Sequence, residues 1–340
     1  RDLHSFPTRR SSDLAISLGI GYYLATKKVP LIYLQNSGLG NAINPILSLA
    51  DPDVYSIPMI LLIGWRGEPN VKDEPQHLKQ GKVTTDLLDT MKIPYDILSS
   101  EMNSHEADLV VKKMVKNSID LNTPCALLLK KATFNSYQLR FEKKFQRELY
   151  REEVIDTIVK EVKADDILVS TTGVASRELF EIREKKSQGH KKDFLTVGGM
   201  GHASQIALGI SLFKKNRMVF CIDGDGALLM HMGALAINAN NAGGNFNHIV
   251  INNSAHDSVG GQPTVGDKVD ITGLAMSSGY LWAKKVTTKE KLIKLINQMR
   301  DFKGPALLEV QVKKGFRKDL GRPTLSPLDN KYSFMEFLEK

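Results

Sequence analysis

Short apolar runs alternate with longer segments of helical period along almost the whole chain. The pattern predicts strands at 31–35, 59–63, 95–98 and 126–130, and a second series at 167–170, 194–197, 218–223, 248–252, 282–286 and 306–312. Helices are predicted between them, for example at 105–121, 147–162, 203–213, 227–239 and 289–302. Such alternation is typical of βαβ units, and continuously apolar strands are typical of buried parallel sheets. The chain is therefore predicted to be an α/β protein with two doubly wound parallel sheets and ligands at the carboxyl ends of the strands.

The polar segment 134–147 carries many charges and no strand pattern, so it is predicted to link two α/β domains. A length of 340 residues with 42% hydrophobic and 25% charged residues agrees with this. The net charge of +8 permits an anionic ligand, but the basic run 183–192 contains no Phe, Tyr or Trp, and nucleic-acid binding is not predicted. No apolar run approaches the roughly 20 residues of a membrane helix. Cys125 and Cys221 lie far apart in apolar runs, which favours buried thiols and a cytoplasmic location.

The strongest functional signal is a pair of polar segments that each follow a predicted strand, Asp223-Gly224-Asp225-Gly226 and Asn252-Asn253. Parallel strands place their carboxyl ends on one edge of a sheet. Gly224 and Gly226 allow close approach of a ligand, and a helix beginning at Ala227 favours an anion such as a diphosphate. Asp225 and Asn253 offer oxygen ligands suited to Mg²⁺. Either segment alone is better explained as a turn or the start of a loop, but together they predict a site for Mg²⁺ and a diphosphate.

This pair of segments resembles the motif of the thiamine-diphosphate-dependent decarboxylases. The resemblance implies that thiamine diphosphate and Mg²⁺ are the cofactors. It implies that Asp225, the side chain of Asn253 and the backbone carbonyl of Ala255 bind Mg²⁺, with the diphosphate and water completing an octahedron.

Two further segments of the second half fit the same family. The segment 198–204 follows a predicted strand, and the resemblance implies that Gly199, Met200 and Gly201 contact the cofactor. Met200 matches the apolar side chain that holds the cofactor bent, with core packing as the alternative. Thr172, at the end of another predicted strand, is expected to contact the diphosphate.

A closer resemblance, to the phosphonopyruvate decarboxylases and less closely to the sulfopyruvate decarboxylases, rests on the segments 35–41, 64–69, 256–264 and 315–323. It implies a pyrimidine-binding domain at 15–133, with Gly38 and Asn41 in its cofactor loop, followed by a diphosphate-binding domain at 148–340. The implied reaction converts 3-phosphonopyruvate to phosphonoacetaldehyde and carbon dioxide in phosphonate biosynthesis. The family also implies a homodimer or larger homo-oligomer with the cofactor at the subunit interface.

Four polar side chains are candidates for the substrate site. Arg66 is expected to bind the phosphonate or carboxylate, because a guanidinium matches such oxyanions; a surface salt bridge is the alternative. His77, His256 and Asp257 are candidates for proton transfer or hydrogen bonding, with purely structural roles as the alternative for each. Weaker substrate candidates are Arg317 and Arg322.

Three other functions remain open on the sequence: sulfopyruvate decarboxylation, a non-catalytic thiamine-diphosphate-binding subunit or fragment, and a plain nucleotide-binding module. The lack of a GxxxxGK[ST] loop counts against the last. Residues 1–14 do not resemble the family and are expected to be a non-native segment that leaves the first domain without its first strand and helix. The family's activating glutamate would fall at about Ser12, with Asp13 a shorter and displaced substitute. This chain is therefore expected to be a poor enzyme.

Overall fold

The computed structural model describes residues 5–7, 12–135 and 146–339, with side chains from Ser12 onward. The chain divides into two compact units, Arg1–Glu142 and Lys143–Lys340. This division lies inside the predicted linker 134–147, most of which is outside the described residues.

The first unit contains a five-stranded sheet. In chain order its elements are β1 (Ser5–Pro7), α1 (Ser12–Thr26), β2 (Leu31–Gln35), α2 (Leu39–Pro45), β3 (Met59–Gly64), α3 (Pro75–Thr90), β4 (Tyr95–Leu98), α4 (Ser104–Leu121) and β5 (Pro124–Leu129). The strand order is β1-β2-β3-β5-β4, and every pair is parallel.

Both faces of this sheet are covered, as the continuously apolar strands predict. Ile32 and Leu61 face one core, which contains residues of α1 and α2, while Ile60 and Leu127 face a second core under Met114 of α4. The helix α4 begins with a capping box formed by Asn103 and Glu106, which satisfies backbone N–H groups at its first turn.

The described start of the first unit contains a short strand and a helix. The strand β1 pairs with β2 at the edge of the sheet, and α1 begins at Ser12. An acidic residue at the start of a helix is favourable, and Asp13 lies in the first turn of α1. The expectation that residues 1–14 are a non-native segment replacing the first strand and helix of the domain stays a prediction.

The second unit contains a six-stranded parallel sheet. In chain order its elements are α5 (Arg151–Glu161), β6 (Ile167–Ser170), α6 (Val174–Lys185), β7 (Asp193–Leu195), α7 (Ala203–Phe213), β8 (Val219–Gly224), α8 (Asp225–Met230), α9 (Ala234–Asn241), β9 (Phe246–Asn252), β10 (Ala255–His256), β11 (Gln262–Pro263), α10 (Ile271–Ser277), β12 (Trp282–Val286), α11 (Lys289–Asp301), β13 (Ala306–Gln311) and α12 (Pro327–Glu339). The short strands β10 and β11 form a separate antiparallel pair.

The strand order of the large sheet is β12-β13-β9-β8-β6-β7. From β6 the chain moves outward to the edge strand β7, whereas from β8 it moves through β9 toward the opposite edge. The direction of winding therefore reverses between β6 and β8, and a crevice opens at the carboxyl ends of strands at such a switch point. One sheet face is covered by α5, α6 and α11, and the other by α7, α9, α10 and α12.

Two predicted helices have different bounds in the structure. The predicted helix 227–239 is two helices, α8 and α9, because His231 leaves the helical region with φ −131° and ψ 50°. The predicted helix 147–162 begins only at Arg151, because Leu149 instead forms a parallel bridge with Val312.

Two expectations from composition concern the whole chain. Cys125 and Cys221 are free and buried within apolar clusters, as predicted. Within the described ranges, none of the helices is long and apolar enough to span a membrane.

Candidate cofactor site

The candidate site of the second unit lies at the carboxyl ends of its central strands. The turn after β6 contains Thr171, Thr172 and Gly173, and the turn after β8 begins α8 with Asp225 and Gly226. The end of β6 lies beside the end of β8, since Thr171 N–H donates to the carbonyl oxygen of Ile222 at 2.8 Å. The segment after β9 borders the same edge through its contact with Asp225. The predicted cofactor segments therefore border the switch point.

Asp225 is the carboxylate at the centre of this edge, with only 1% of the residue exposed. Its oxygens accept hydrogen bonds from Asn253 N–H at 3.3 Å and from the Thr264 hydroxyl. Both donors are uncharged. Burial raises the pKa of Asp225 to about 6, although these hydrogen bonds and the charge of Arg147 act in the opposite direction. A buried carboxylate with neutral donors is stabilised by a bound cation.

The structure brings Asn253 and Ala255 to the same place. Asn253 Oδ1 accepts a hydrogen bond from Ala255 N–H at 3.1 Å, and Asn253 Nδ2 donates to Asp257 Oδ2 at 2.7 Å. An amide oxygen has two lone pairs, so Oδ1 can still serve a cation after its bond to Ala255. Carboxylate, amide and carbonyl oxygens form the hard-ligand set that Mg²⁺ prefers, and these residues fit that ion.

Glycines keep this edge clear of side chains. A Cβ on Gly226 would lie 2.5 Å from His256 Nδ1, and a Cβ on Gly266 would lie 2.5 Å from Asp225 Oδ2. Gly173, with φ +93°, would clash with the hydroxyl of Ser258 if it carried a Cβ. At Gly224 an added Cβ would meet nothing within 4 Å, so its small size is not required by contacts inside the described part of the chain.

The loop before α7 contains two glycines in a backbone conformation that other residues rarely adopt. Gly199 and Gly201 adopt φ +63° and +88°, values that favour glycine. Met200 between them is half-buried and is outside the apolar clusters of the second unit, and its contact with the cofactor stays a prediction. His202 and His231 pack edge to face at 4.6 Å between ring centroids.

A buried polar atom near this edge supports a polar ligand. Thr171 Oγ1 is buried and has no hydrogen-bond partner among the described residues, which is uncommon in folded proteins. The sequence instead singled out the neighbouring Thr172, which is half-buried. Together with the backbone N–H groups at the start of α8, this hydroxyl fits an anionic group such as a diphosphate.

Several residues that support the site were missed from the sequence. Arg147 donates to the carbonyl oxygens of Asn252 and Val312 at 3.0 and 2.8 Å, and to Ser254 Oγ at 2.7 Å. Asn252 in turn donates to Glu309 and to the Gly266 carbonyl, both at 2.8 Å. These contacts join positions that are far apart in the chain, so no local sequence pattern predicts them.

Asp257 is held in a buried ionic network of the second unit. Its Oδ2 accepts from Arg151 Nη1 at 3.0 Å and from Gly315 N–H at 3.0 Å, in addition to Asn253. Arg151 also donates to both oxygens of Glu178. His256 lies beside Gly226, and its role in proton transfer or hydrogen bonding stays a prediction. Arg317, a weak substrate candidate, forms salt bridges with Glu152 and Glu181, while the other, Arg322, is exposed.

The remaining candidates lie in the first unit. Arg66 forms a two-point salt bridge with Asp73, at 2.8 and 2.5 Å, which lowers the pKa of the Asp73 carboxyl. This pair uses two of the five N–H donors of the guanidinium. A role for Arg66 as a substrate ligand is compatible with the pair and stays a prediction. His77 lies in the first turn of α3. Gly38 packs against the buried Ser12 with no room for a Cβ. One more cofactor candidate, Asn41, is exposed on α2.

Comparison with known proteins agrees with this geometry. Residues 172–310 match the thiamine pyrophosphate enzyme, C-terminal TPP binding domain family. The phosphonopyruvate decarboxylase of Streptomyces viridochromogenes is 31% identical over 320 residues, which cover 89% of this chain and 78% of that protein. The chain belongs to the thiamine-diphosphate-dependent decarboxylase family. Its two parallel-sheet units have the fold of the pyrimidine-binding and diphosphate-binding domains of that family.

Two other relatives bear on the substrate. The phosphonopyruvate decarboxylase of Streptomyces hygroscopicus is 32% identical over 318 residues, covering 89% of this chain and 77% of that protein. The sulfopyruvate decarboxylase of Methanosarcina acetivorans is 28% identical over 361 aligned positions, covering 98% of this chain and 87% of that protein. Members of the family decarboxylate 2-oxo acids, and these relatives differ in the anionic group of the acid.

Proposed function

We propose that this protein decarboxylates 3-phosphonopyruvate to phosphonoacetaldehyde and carbon dioxide, with thiamine diphosphate and Mg²⁺ as cofactors. The observation that supports the cofactors most strongly is Asp225, a buried carboxylate beside Asn253 at the switch point of the second sheet. A carboxylate in this environment favours a cation, and the small residues around it leave the approach to the strand ends open.

The residues at this edge have separate tasks in the proposal. Asp225, Asn253 and the carbonyl of Ala255 hold Mg²⁺. Thr171 and the start of α8 bind the diphosphate, and Met200 supports the rest of the cofactor. When bound, thiamine diphosphate supplies the positively charged ring that accepts the electron pair released with carbon dioxide.

The choice of phosphonopyruvate rests on the relatives. Two phosphonopyruvate decarboxylases are 31% and 32% identical to this chain, compared with 28% for a sulfopyruvate decarboxylase whose match extends over more of the chain. Sulfopyruvate is therefore the second candidate substrate, because a sulfonate is a tetrahedral anion of similar size. We also propose that the active form is a homodimer or larger homo-oligomer.

A side-by-side assay distinguishes these functions. Carbon dioxide release is measured from phosphonopyruvate, sulfopyruvate and pyruvate, each with thiamine diphosphate and Mg²⁺ or with EDTA. The proposal predicts the highest kcat/KM for phosphonopyruvate and no activity in EDTA. A higher kcat/KM for sulfopyruvate would show that sulfopyruvate is the preferred substrate. Cofactor binding without turnover of any of the three acids would instead indicate a non-catalytic subunit.

A further inference from the structure

Asp257 follows the proposed metal ligands and is held there by several hydrogen bonds. Its side chain is 4% exposed. A single oxygen, Oδ2, accepts three N–H groups, from Asn253 at 2.7 Å, Arg151 at 3.0 Å and Gly315 at 3.0 Å. Three donors from different directions hold this oxygen, and with it the carboxylate, in one orientation.

The contacts with Asp257 and with Ala255 N–H determine how the Asn253 amide is oriented. The two ends of an asparagine side chain have almost the same shape, and hydrogen bonds decide which one holds the oxygen. Asn253 Nδ2 is fixed on Asp257, while Oδ1 is turned to Ala255 N–H. If the amide rotated by 180°, an N–H donor would occupy the position of a metal ligand.

Arg151 fixes Asp257 in turn. The guanidinium is 8% exposed and spans Asp257 and Glu178, which is 2% exposed, and it also donates to the Gly315 carbonyl at 3.2 Å. Four separate parts of the second unit meet here: the first turn of α5, helix α6, the segment after β9 and the segment after β13. A planar guanidinium with several fixed partners restricts the position of each of them.

We propose that Asp257 is a positioning residue for the metal site, which orients the Asn253 amide through a chain of contacts that begins at Glu178 and Arg151. This inference rests on the proposed function, since Asn253 matters in this way only if it binds Mg²⁺. It replaces the proton-transfer role that the sequence suggested for Asp257. Residues that orient metal ligands typically contribute about 10–100-fold to metal affinity.

The test measures the Mg²⁺ concentration that gives half-maximal thiamine diphosphate binding, by calorimetry on the full chain. Asp257→Ala is expected to raise that concentration by about 10–100-fold. Asp257→Asn, which keeps an acceptor oxygen and nearly the same shape, is expected to give a smaller increase. At saturating Mg²⁺, both variants should bind as much thiamine diphosphate as the parent chain.

Asp193→Asn is the matched control. Asp193 forms an equally buried two-point pair with Arg183, at 2.8 and 2.9 Å, and begins β7 at the opposite end of its strand from the site. This variant should lose stability without changing the Mg²⁺ requirement.

The outcomes separate the two proposals. An unchanged Mg²⁺ requirement in both Asp257 variants, with a lower kcat, would restore a proton-transfer role and refute the positioning role while leaving the function intact. An equal increase in the Mg²⁺ requirement of Asp193→Asn would show that the increase in the Asp257 variants comes from lost stability. That result would also overturn the inference. If the parent chain does not bind thiamine diphosphate with Mg²⁺, the proposed function itself is wrong.

Discussion

Asp225→Asn is expected to stabilise the cofactor-free protein while it removes the metal site. Burial raises the pKa of Asp225 from 3.8 to about 6. Each pKa unit corresponds to about 1.36 kcal/mol, so ionising this carboxyl in the folded chain costs about 3 kcal/mol in the free energy of unfolding. Asparagine keeps the shape and carries no charge, so it avoids this cost.

The sign of the pH dependence follows from the raised pKa. The folded state holds the proton more tightly than the unfolded state, so stability from this group is complete below about pH 4 and is lost as the pH rises through about 6. The advantage of Asp225→Asn should therefore be near zero at about pH 4 and should reach about 3 kcal/mol at about pH 8. For a unit of this size, that gain corresponds to an increase in Tm of about 6–12 °C.

Thermal or urea unfolding in EDTA measures this directly. Asp166→Asn is the control, because Asp166 is also buried but is paired with Arg300. Removing one partner of a buried pair typically costs about 3–5 kcal/mol, so this control should be destabilised. Adding thiamine diphosphate and Mg²⁺ should stabilise the parent and leave Asp225→Asn unchanged. An Asp225→Asn variant that is less stable than the parent in EDTA at about pH 8 would refute the reasoning.

Three further predictions concern other parts of the chain. Gly224→Ala should weaken thiamine diphosphate binding without destabilising the cofactor-free protein, because its Cβ would enter open space at the strand end. Gly209→Ala, equally open on α7, should leave cofactor binding unchanged and should stabilise the protein by about 1 kcal/mol, because alanine is the better helix former; calorimetry and thermal unfolding compare the two. Arg66→Ala should raise the KM for phosphonopyruvate about 10-fold or more relative to the KM for pyruvate, since a charge-assisted contact is worth about 1.5–3 kcal/mol. The control Asp73→Ala keeps the cation, so it should change the KM of both acids equally. The pKa of Cys221 is raised by burial, so Cys221 should react with a thiol reagent only after unfolding, and rapid reaction of the native protein would contradict its position in the core.

The sheet and the edge of the site were accessible from the sequence because both depend on local patterns. Apolar runs locate the strands, and parallel strands necessarily align their carboxyl ends, so the sequence alone places Asp225 and Asn253 close together. The break between α8 and α9 was not accessible. The segment 227–239 has residues of good helical propensity, and the turn at His231 interrupts it.

The layer behind the metal ligands could not be predicted for a different reason. Arg147 contacts Asn252 across 105 positions, and Arg151 contacts Gly315 across 164. Such pairs have no periodicity, and in the sequence both arginines look like solvated charges next to a linker. The sequence identified Asp257 as a candidate site residue because it follows the Asn252-Asn253 pair. Its hydrogen-bond partners favour positioning over proton transfer, and most of them come from distant segments of the chain.

The central claim is that Asp225 and Asn253 form a Mg²⁺ site that holds thiamine diphosphate. Calorimetric titration of thiamine diphosphate into the parent chain and into Asp225→Ala, each with Mg²⁺ and with EDTA, tests it most directly. If these two residues do form such a site, the parent should bind thiamine diphosphate only with Mg²⁺, Asp225→Ala should not bind it, and Asn253→Ala should show a weaker loss. Equal affinity of the parent and both variants for thiamine diphosphate would contradict it.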